Sequence, residues 1–129
     1  KFWVFSSQNV HFDQGWELYI SMTPLNYALL LDSVKKLLIE YDIPFKYVSN
    51  ESYLKQLNTG IFGYSQIGKS LVIYMESLER LEHFMPRLKC ILSEFKDESP
   101  RVPFAKEIGE LMLKYVNKIV PVRNLEIKN

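Results

Sequence analysis

Cysteine is almost missing from this chain: Cys90 is the single one in 129 residues. One thiol forms no internal disulfide, so a stapled extracellular fold is not expected and a reducing, cytoplasmic setting is. Histidine is nearly as scarce, with His11 and His83 alone. No Cys/His spacing suits zinc, so no metal and no cofactor is expected. A Ser-His-Asp or Cys-His hydrolase also lacks its parts. His83 and Cys90 are predicted on the solvent face of one helix, and no strand-turn-helix elbow presents a serine near His11 and Asp13. Charge of one sign is not in excess: sixteen basic and fifteen acidic residues leave +1. Nucleic-acid domains carry a basic excess or stripe, so no nucleic-acid partner is expected. No apolar run approaches the ~20 residues of a membrane span, and no signal-peptide pattern is present.

What is present is core material. The chain is 47% hydrophobic and 14% aromatic, with eight Tyr and eight Phe. That argues against disorder and for one domain spanning residues 1–129. Because the chain starts at Lys1, the domain is expected to be a fragment of a larger multidomain polypeptide.

The central stretch runs from Gly15 to Val48. Trp16, Leu18, Ile20 and Met22 alternate with Glu17, Tyr19 and Ser21, which predicts a strand with one apolar side. Thr23 and Pro24 open a helix as cap and first helical residue. Tyr27, Leu30, Leu31, Val34, Leu37, Leu38 and Tyr41 then give it one apolar stripe. Asp42-Ile43-Pro44 stops it, since proline disfavours helical geometry at the residue before it. Phe45 to Val48 is a second strand carrying Lys46. Such a β-α-β unit leaves its strands parallel, joined by a right-handed crossover.

Around this unit, Phe2 to Phe5 is an edge strand or anchor, and Ser6 to Gln14 a loop. Asn50 or Ser52 caps a short helix over Tyr53–Leu57, ended by Asn58-Thr59-Gly60. Leu71 to Met75 is a buried-type strand. Ser77 caps a further helix with a stripe of Leu78, Leu81, Met85, Leu88, Leu92 and Phe95, which Pro86 kinks or splits. Lys96 to Pro103 is a loop, and Phe104 to Leu111 a candidate short helix. Leu113–Val116 has strand character or extends that helix. Lys118–Val122 is a last strand, placed at an edge by Pro121. The fold class expected is α+β, α/β-like, with a mixed sheet built on the central β-α-β unit and two main amphipathic helices.

Gly63 to Ser70 matches the phosphate-binding pattern G-x-x-x-x-G-K-[ST]. That loop works by following a strand and opening a helix, whose amides cradle phosphate. Here a helix precedes it and a strand follows, so a connecting loop with a strand-leading Lys69 is expected. Aromatic and basic residues interleave from Tyr41 to Lys55 as in single-strand nucleic-acid platforms, but most of those aromatics fit core positions. Lys46 is different. Phe45 and Tyr47 flank it, and desolvation lowers a lysine pKa toward that of a usable base. Glu17 and Tyr19 share one face of the first strand. Either that is also the face of Lys46 and three ionisable groups cluster, or the strand's polar side is simply solvated.

Gly15-Trp16-Glu17-Leu18-Tyr19-Ile20-Ser21, then Ile43-Pro44-Phe45-Lys46, then Asn58, then Gly68-Lys69 ahead of Leu71-Val72-Ile73-Tyr74 occur in an order and spacing that resembles the amino-terminal domain of class III lanthipeptide synthetases. The resemblance covers roughly Gly15 to Val116. That domain is similar to the phosphothreonine lyases of bacterial effectors. The resemblance implies a cytoplasmic bacterial domain whose partners are a precursor peptide and the adjacent kinase and cyclase-like domains of the same polypeptide. It implies β-elimination of phosphate from phosphorylated Ser/Thr, with Lys46 as general base and Lys69 in a phosphate-binding role. The chain departs from the family's pattern at three places. Glu17 and Tyr19 stand where a cation and a histidine acid belong, and Leu57 where an arginine does. Tyr19 is then the replacement acid, and catalysis is weakened or lost. Two alternatives stand beside this reading: a non-catalytic domain that binds peptide or braces the kinase, and an unrelated α/β binding domain.

Overall fold

The computed structural model describes residues 2–6 and 14–95, together with the backbone of 106–108 and 111–116. Six strands form one sheet: β1 Trp3–Phe5, β2 Gly15–Ile20, β3 Phe45–Val48, β4 Leu71–Met75, β5 Lys106–Ile108 and β6 Leu111–Val116. Their order across the sheet is β1-β3-β4-β2-β6-β5. Three helices complete the described fold: α1 Tyr27–Glu40, α2 Glu51–Asn58 and α3 Leu78–Leu92. The chain is an α+β fold, as expected.

The internal arrangement corrects one expectation. β2 and β3 are not neighbours, because β4 lies between them and pairs antiparallel with both. They therefore run in one direction, as a β-α-β unit requires, but every adjacent pair in the sheet is antiparallel. Among the described strands the sheet is not mixed, and the central unit is a split one, with a later strand inserted into its gap. Alternation along β2 specifies which face it buries and says nothing about which strand lies alongside.

One face of the sheet carries the core. Leu18 and Ile20 of β2, Phe45 of β3 and Leu71, Ile73 and Met75 of β4 pack with Leu30, Leu31, Val34, Leu37 and Leu38 of α1 and Leu81, Phe84, Leu88 and Leu92 of α3. Phe84 was absent from the expected stripe of α3, and Leu78, included in it, is half exposed. Pro86 does not split α3, which is continuous from Leu78 to Leu92. Its missing N–H forfeits one bond, while buried Phe84 and Leu88 on either side hold the helix to the sheet.

Helix ends differ from the expected ones in detail. α1 begins three residues later than Pro24 suggests. Thr23 and Asn26 first exchange bonds, Thr23 N–H donating to Asn26 Oδ1 at 2.9 Å and Asn26 N–H to Thr23 Oγ1 at 3.3 Å. Asn26 is the N-cap. At the other end, Asp42 N–H donates to the Ile39 carbonyl and Ile43 N–H to that of Leu38, at 3.1 and 3.0 Å. This is a Schellman closure, and it places Asp42 at φ 56°. Glycine suits that geometry better than any residue with a Cβ. Asp42→Gly is therefore expected to stabilise the fold by about 0.5–1 kcal/mol in urea unfolding. α2 is capped by Asn50, whose Oδ1 accepts from Tyr53 N–H at 2.9 Å. Ser77 caps α3 through Arg80 N–H at 3.2 Å.

Two polar side chains anchor the far end of β2. Buried Ser70 accepts through Oγ from Met22 N–H at 3.2 Å, and Asn58 Nδ2 donates to the Met22 carbonyl at 3.0 Å. The carbonyl of Ser70 also takes Val48 N–H at 3.0 Å. Met22 thus has both backbone groups satisfied beyond the ladder, which fixes β2 against the loop that carries Lys69.

The edge-strand reading of Phe2 to Phe5 holds, since β1 borders the sheet. The candidate helix over Phe104 to Leu111 is overturned: residues Lys106–Ile108 are a strand paired with β6. The loop residues 7–13, with His11 and Asp13, and the strand expected at Lys118–Val122 lie outside the described residues.

Candidate functional site

Strand register decides which side chains meet. Lys46 of β3 and Tyr19 of β2 both stand opposite Val72 of β4, one on each side. Directly paired residues point to the same face, so Lys46, Val72 and Tyr19 form a row across the sheet face turned away from α1 and α3. Glu17, two residues before Tyr19, pairs with Tyr74 and shares that face. The face that polar alternation left open as a solvated surface is largely covered: Tyr19 is 1% exposed and Tyr74 3%, with Glu17 and Lys46 partly buried beside them.

Lys69 enters the same place from the loop before β4. The Gly63–Ser70 stretch is no phosphate-binding P-loop. It makes a 3₁₀ turn over Tyr64–Gln66 and runs into β4, with no helix behind it. Gly63 at φ 109° and Gly68 at φ 78° turn the backbone, a geometry glycine adopts without strain. Lys69 Nζ then lies 4.8 Å from the centre of the Tyr19 ring.

Together Glu17, Tyr19, Lys46, Lys69 and Val72, with Trp3 and Gln66, line a cavity of about 160 Å³. The structure thus brings together all three candidate residues, Lys46, Tyr19 and Lys69, and adds Glu17. Trp3 and Gln66 carry no signal in the sequence. Trp3 reaches the site because β1 pairs with β3, a long-range pairing that a three-residue apolar run does not announce. Lys46 Nζ lies 4.4 Å from the centre of the Trp3 ring, a cation–π contact. Leu57 is buried and does not line this cavity, and Asn58 serves β2 as described above.

The electrostatics are uneven. Burial lowers the Lys46 pKa. Glu17 opposes that shift and the Lys69 ammonium adds to it. The Tyr19 hydroxyl donates to Glu17 Oε1 at 2.6 Å. Burial first, then this bond to a carboxylate, push the Tyr19 phenol far above its ordinary value. Burial, with Glu17 beside it, raises Tyr74 as well. The site therefore holds one lysine whose charged form burial disfavours, a second lysine, and a phenol whose proton is directed at Glu17.

Such a cavity can offer a small anionic group the Lys69 ammonium and, when Lys46 is neutral, a base. Among the described residues no group of His, Cys, Asp and Glu could hold a metal ion, and no helix is long and apolar enough to cross a membrane. Among the aromatics of Tyr41–Lys55, Tyr41 packs against Phe84 and Tyr53 against Phe2. No curated protein matches the chain. Residues 2–115, nearly all of the described fold and every residue of the cavity, match the family described as RamC, N-terminal domain. The chain belongs to that family, the amino-terminal domains of lanthipeptide synthetases.

Proposed function

We propose that this is a lyase-type domain of a lanthipeptide synthetase, acting weakly on phosphorylated Ser/Thr of a precursor peptide. The observation that carries this reading is the convergence of Lys46 and Lys69 on one small cavity. In the reaction, neutral Lys46 takes the α-proton of the phosphorylated residue. The Cα electron pair forms the Cα=Cβ bond as the Cβ–O bond to phosphate breaks. Phosphate leaves against the Lys69 ammonium, which offsets its growing charge. Tyr19 is the acid available to the leaving group. Its proton is shared with Glu17 and its pKa is raised, so protonation is poor, and Glu17 repels the phosphate. Both effects make elimination slow.

The setting of the reaction is a cytoplasmic bacterial synthetase, with adjacent kinase and cyclase-like domains in the same polypeptide. The kinase supplies the phosphorylated peptide, and the cyclase-like domain receives the dehydrated one. A second reading has one specific observation in its favour. Glu17 on the cavity wall suits a domain that has given up elimination and holds peptide or braces the kinase. Incubating the chain with a phosphorylated Ser/Thr peptide and following loss of phosphoric acid by mass spectrometry separates the two. Slow accumulation of dehydroamino acid supports the lyase reading. Bound but unaltered phosphopeptide supports the second.

A further inference from the structure

Beside the ionic cavity lies a larger hollow of about 500 Å³, lined by Phe2, Trp3, Leu57, Phe62 and Gln66. Trp3 and Gln66 also line the cavity, so the two spaces share a wall. Their chemistries differ. The cavity presents Lys46, Lys69 and Glu17, whereas no charged side chain lines the hollow among the described residues. The Phe2 ring packs on Trp3 at 5.1 Å and on Phe62 at 4.9 Å. A line of aromatic contacts thus leads from the Lys46 ammonium across Trp3 to Phe62, which is 47% exposed. Side chains one or two positions apart in an extended peptide are separated by about 3.3–7 Å, so neighbouring residues of one peptide reach adjoining spaces that share Trp3 and Gln66.

We propose that the hollow is a subsite for an apolar side chain one or two residues from the phosphorylated Ser/Thr, so that the domain reads phosphate and apolar neighbour together. The proposal rests on the functional reading above and adds a sequence preference to it. A phosphopeptide with Leu or Phe beside the phosphorylated residue complements both halves, since its anion meets the lysines and its apolar group meets Phe2, Leu57 and Phe62. A phosphopeptide with Gly or Ser there fills only one.

The test is fluorescence anisotropy of labelled phosphoserine peptides carrying Leu, Phe, Ser or Gly at the two positions on each side, against the 129-residue chain and its Phe62 variants. Leu or Phe at one of these positions is expected to tighten binding about tenfold over Gly. Phe62→Ser is expected to erase that preference and leave the Gly peptide's affinity unchanged, while Phe62→Leu keeps most of it. Phe62 is half exposed in a turn, and urea unfolding of each variant checks that the fold survives. Phosphate-dependent binding that ignores the neighbour overturns the subsite and leaves the functional reading standing. Binding indifferent to phosphate, or none, overturns both. Concentration-dependent self-association lost in Phe62→Ser, without a peptide effect, places a second copy in the hollow and also overturns the proposal.

Discussion

Lys46→Met is expected to abolish elimination from a phosphorylated Ser/Thr peptide while leaving the domain folded. A positioned general base contributes about 10²–10⁴-fold, and an already slow reaction then falls below detection. Methionine keeps the length and the apolar contact with Trp3 and removes the proton acceptor. The fold is expected to gain, because a buried ammonium costs free energy that a packed apolar side chain does not. The sign with pH follows from burial lowering the Lys46 pKa. Between that lowered value and the ordinary lysine value near ~10.4, the unfolded chain binds more protons than the folded one, so stability rises with pH across this window. Lys46→Met removes that rise. Elimination follows the neutral fraction of Lys46, so it climbs with pH and levels off below the pH at which a solvated lysine would. Mass spectrometry of the peptide and urea unfolding across alkaline pH read the two effects separately. Lost elimination in an unfolded variant would say nothing of a base, whereas lost elimination with an unchanged or raised unfolding midpoint assigns the role to Lys46.

Glu17→Gln is expected to act in the opposite direction, raising both phosphopeptide affinity and elimination rate. Glu17 faces the cavity between the lysines and Tyr19. Removing its charge takes away repulsion of a phosphate, on the order of 1–3 kcal/mol at an effective dielectric near ~20, or about ten- to a hundredfold. The same change removes the carboxylate that holds the Tyr19 proton. Part of the upward shift of the phenol is then relieved, which makes Tyr19 a better acid for the leaving group. Lys46 loses a carboxylate that favours its charged form, so more of it is neutral and able to act as a base. All three consequences point the same way. Single-turnover elimination rates and peptide affinities should both rise. A fall in both would place Glu17 among the groups that hold the substrate and refute this account of the site.

The sequence shows the parts of this site more clearly than their arrangement. β3 and β4 are readable to the residue, because Phe45–Val48 follows the helix-stopping Pro44 and Leu71–Met75 is a short apolar run with clear boundaries. The pairing of Lys46 with the Glu17–Tyr19 face depends on an inserted strand, β4, and register is set by long-range contacts that no local pattern records. Alternation alone made a solvated polar side as natural as a cluster. The burial of Tyr19 decides between them, and it belongs to the assembled sheet. Trp3 illustrates the same limit. The run Phe2 to Phe5 reads as an edge strand or an anchor, and only its ladder with β3 turns Trp3 into part of the wall between cavity and hollow. The helix over Phe104 to Leu111 failed for a related reason: a weakly periodic stretch beside two prolines takes its structure from the strand it pairs with.

One measurement bears most directly on the central claim. The chain and its Lys46→Met variant are incubated with a phosphorylated Ser/Thr peptide that carries an apolar neighbour, and the peptide mass is followed over time. With Lys46 as the base, slow loss of phosphoric acid is expected with the parent chain and none with the variant. An unaltered phosphopeptide with both chains, or equal elimination by both, would contradict it.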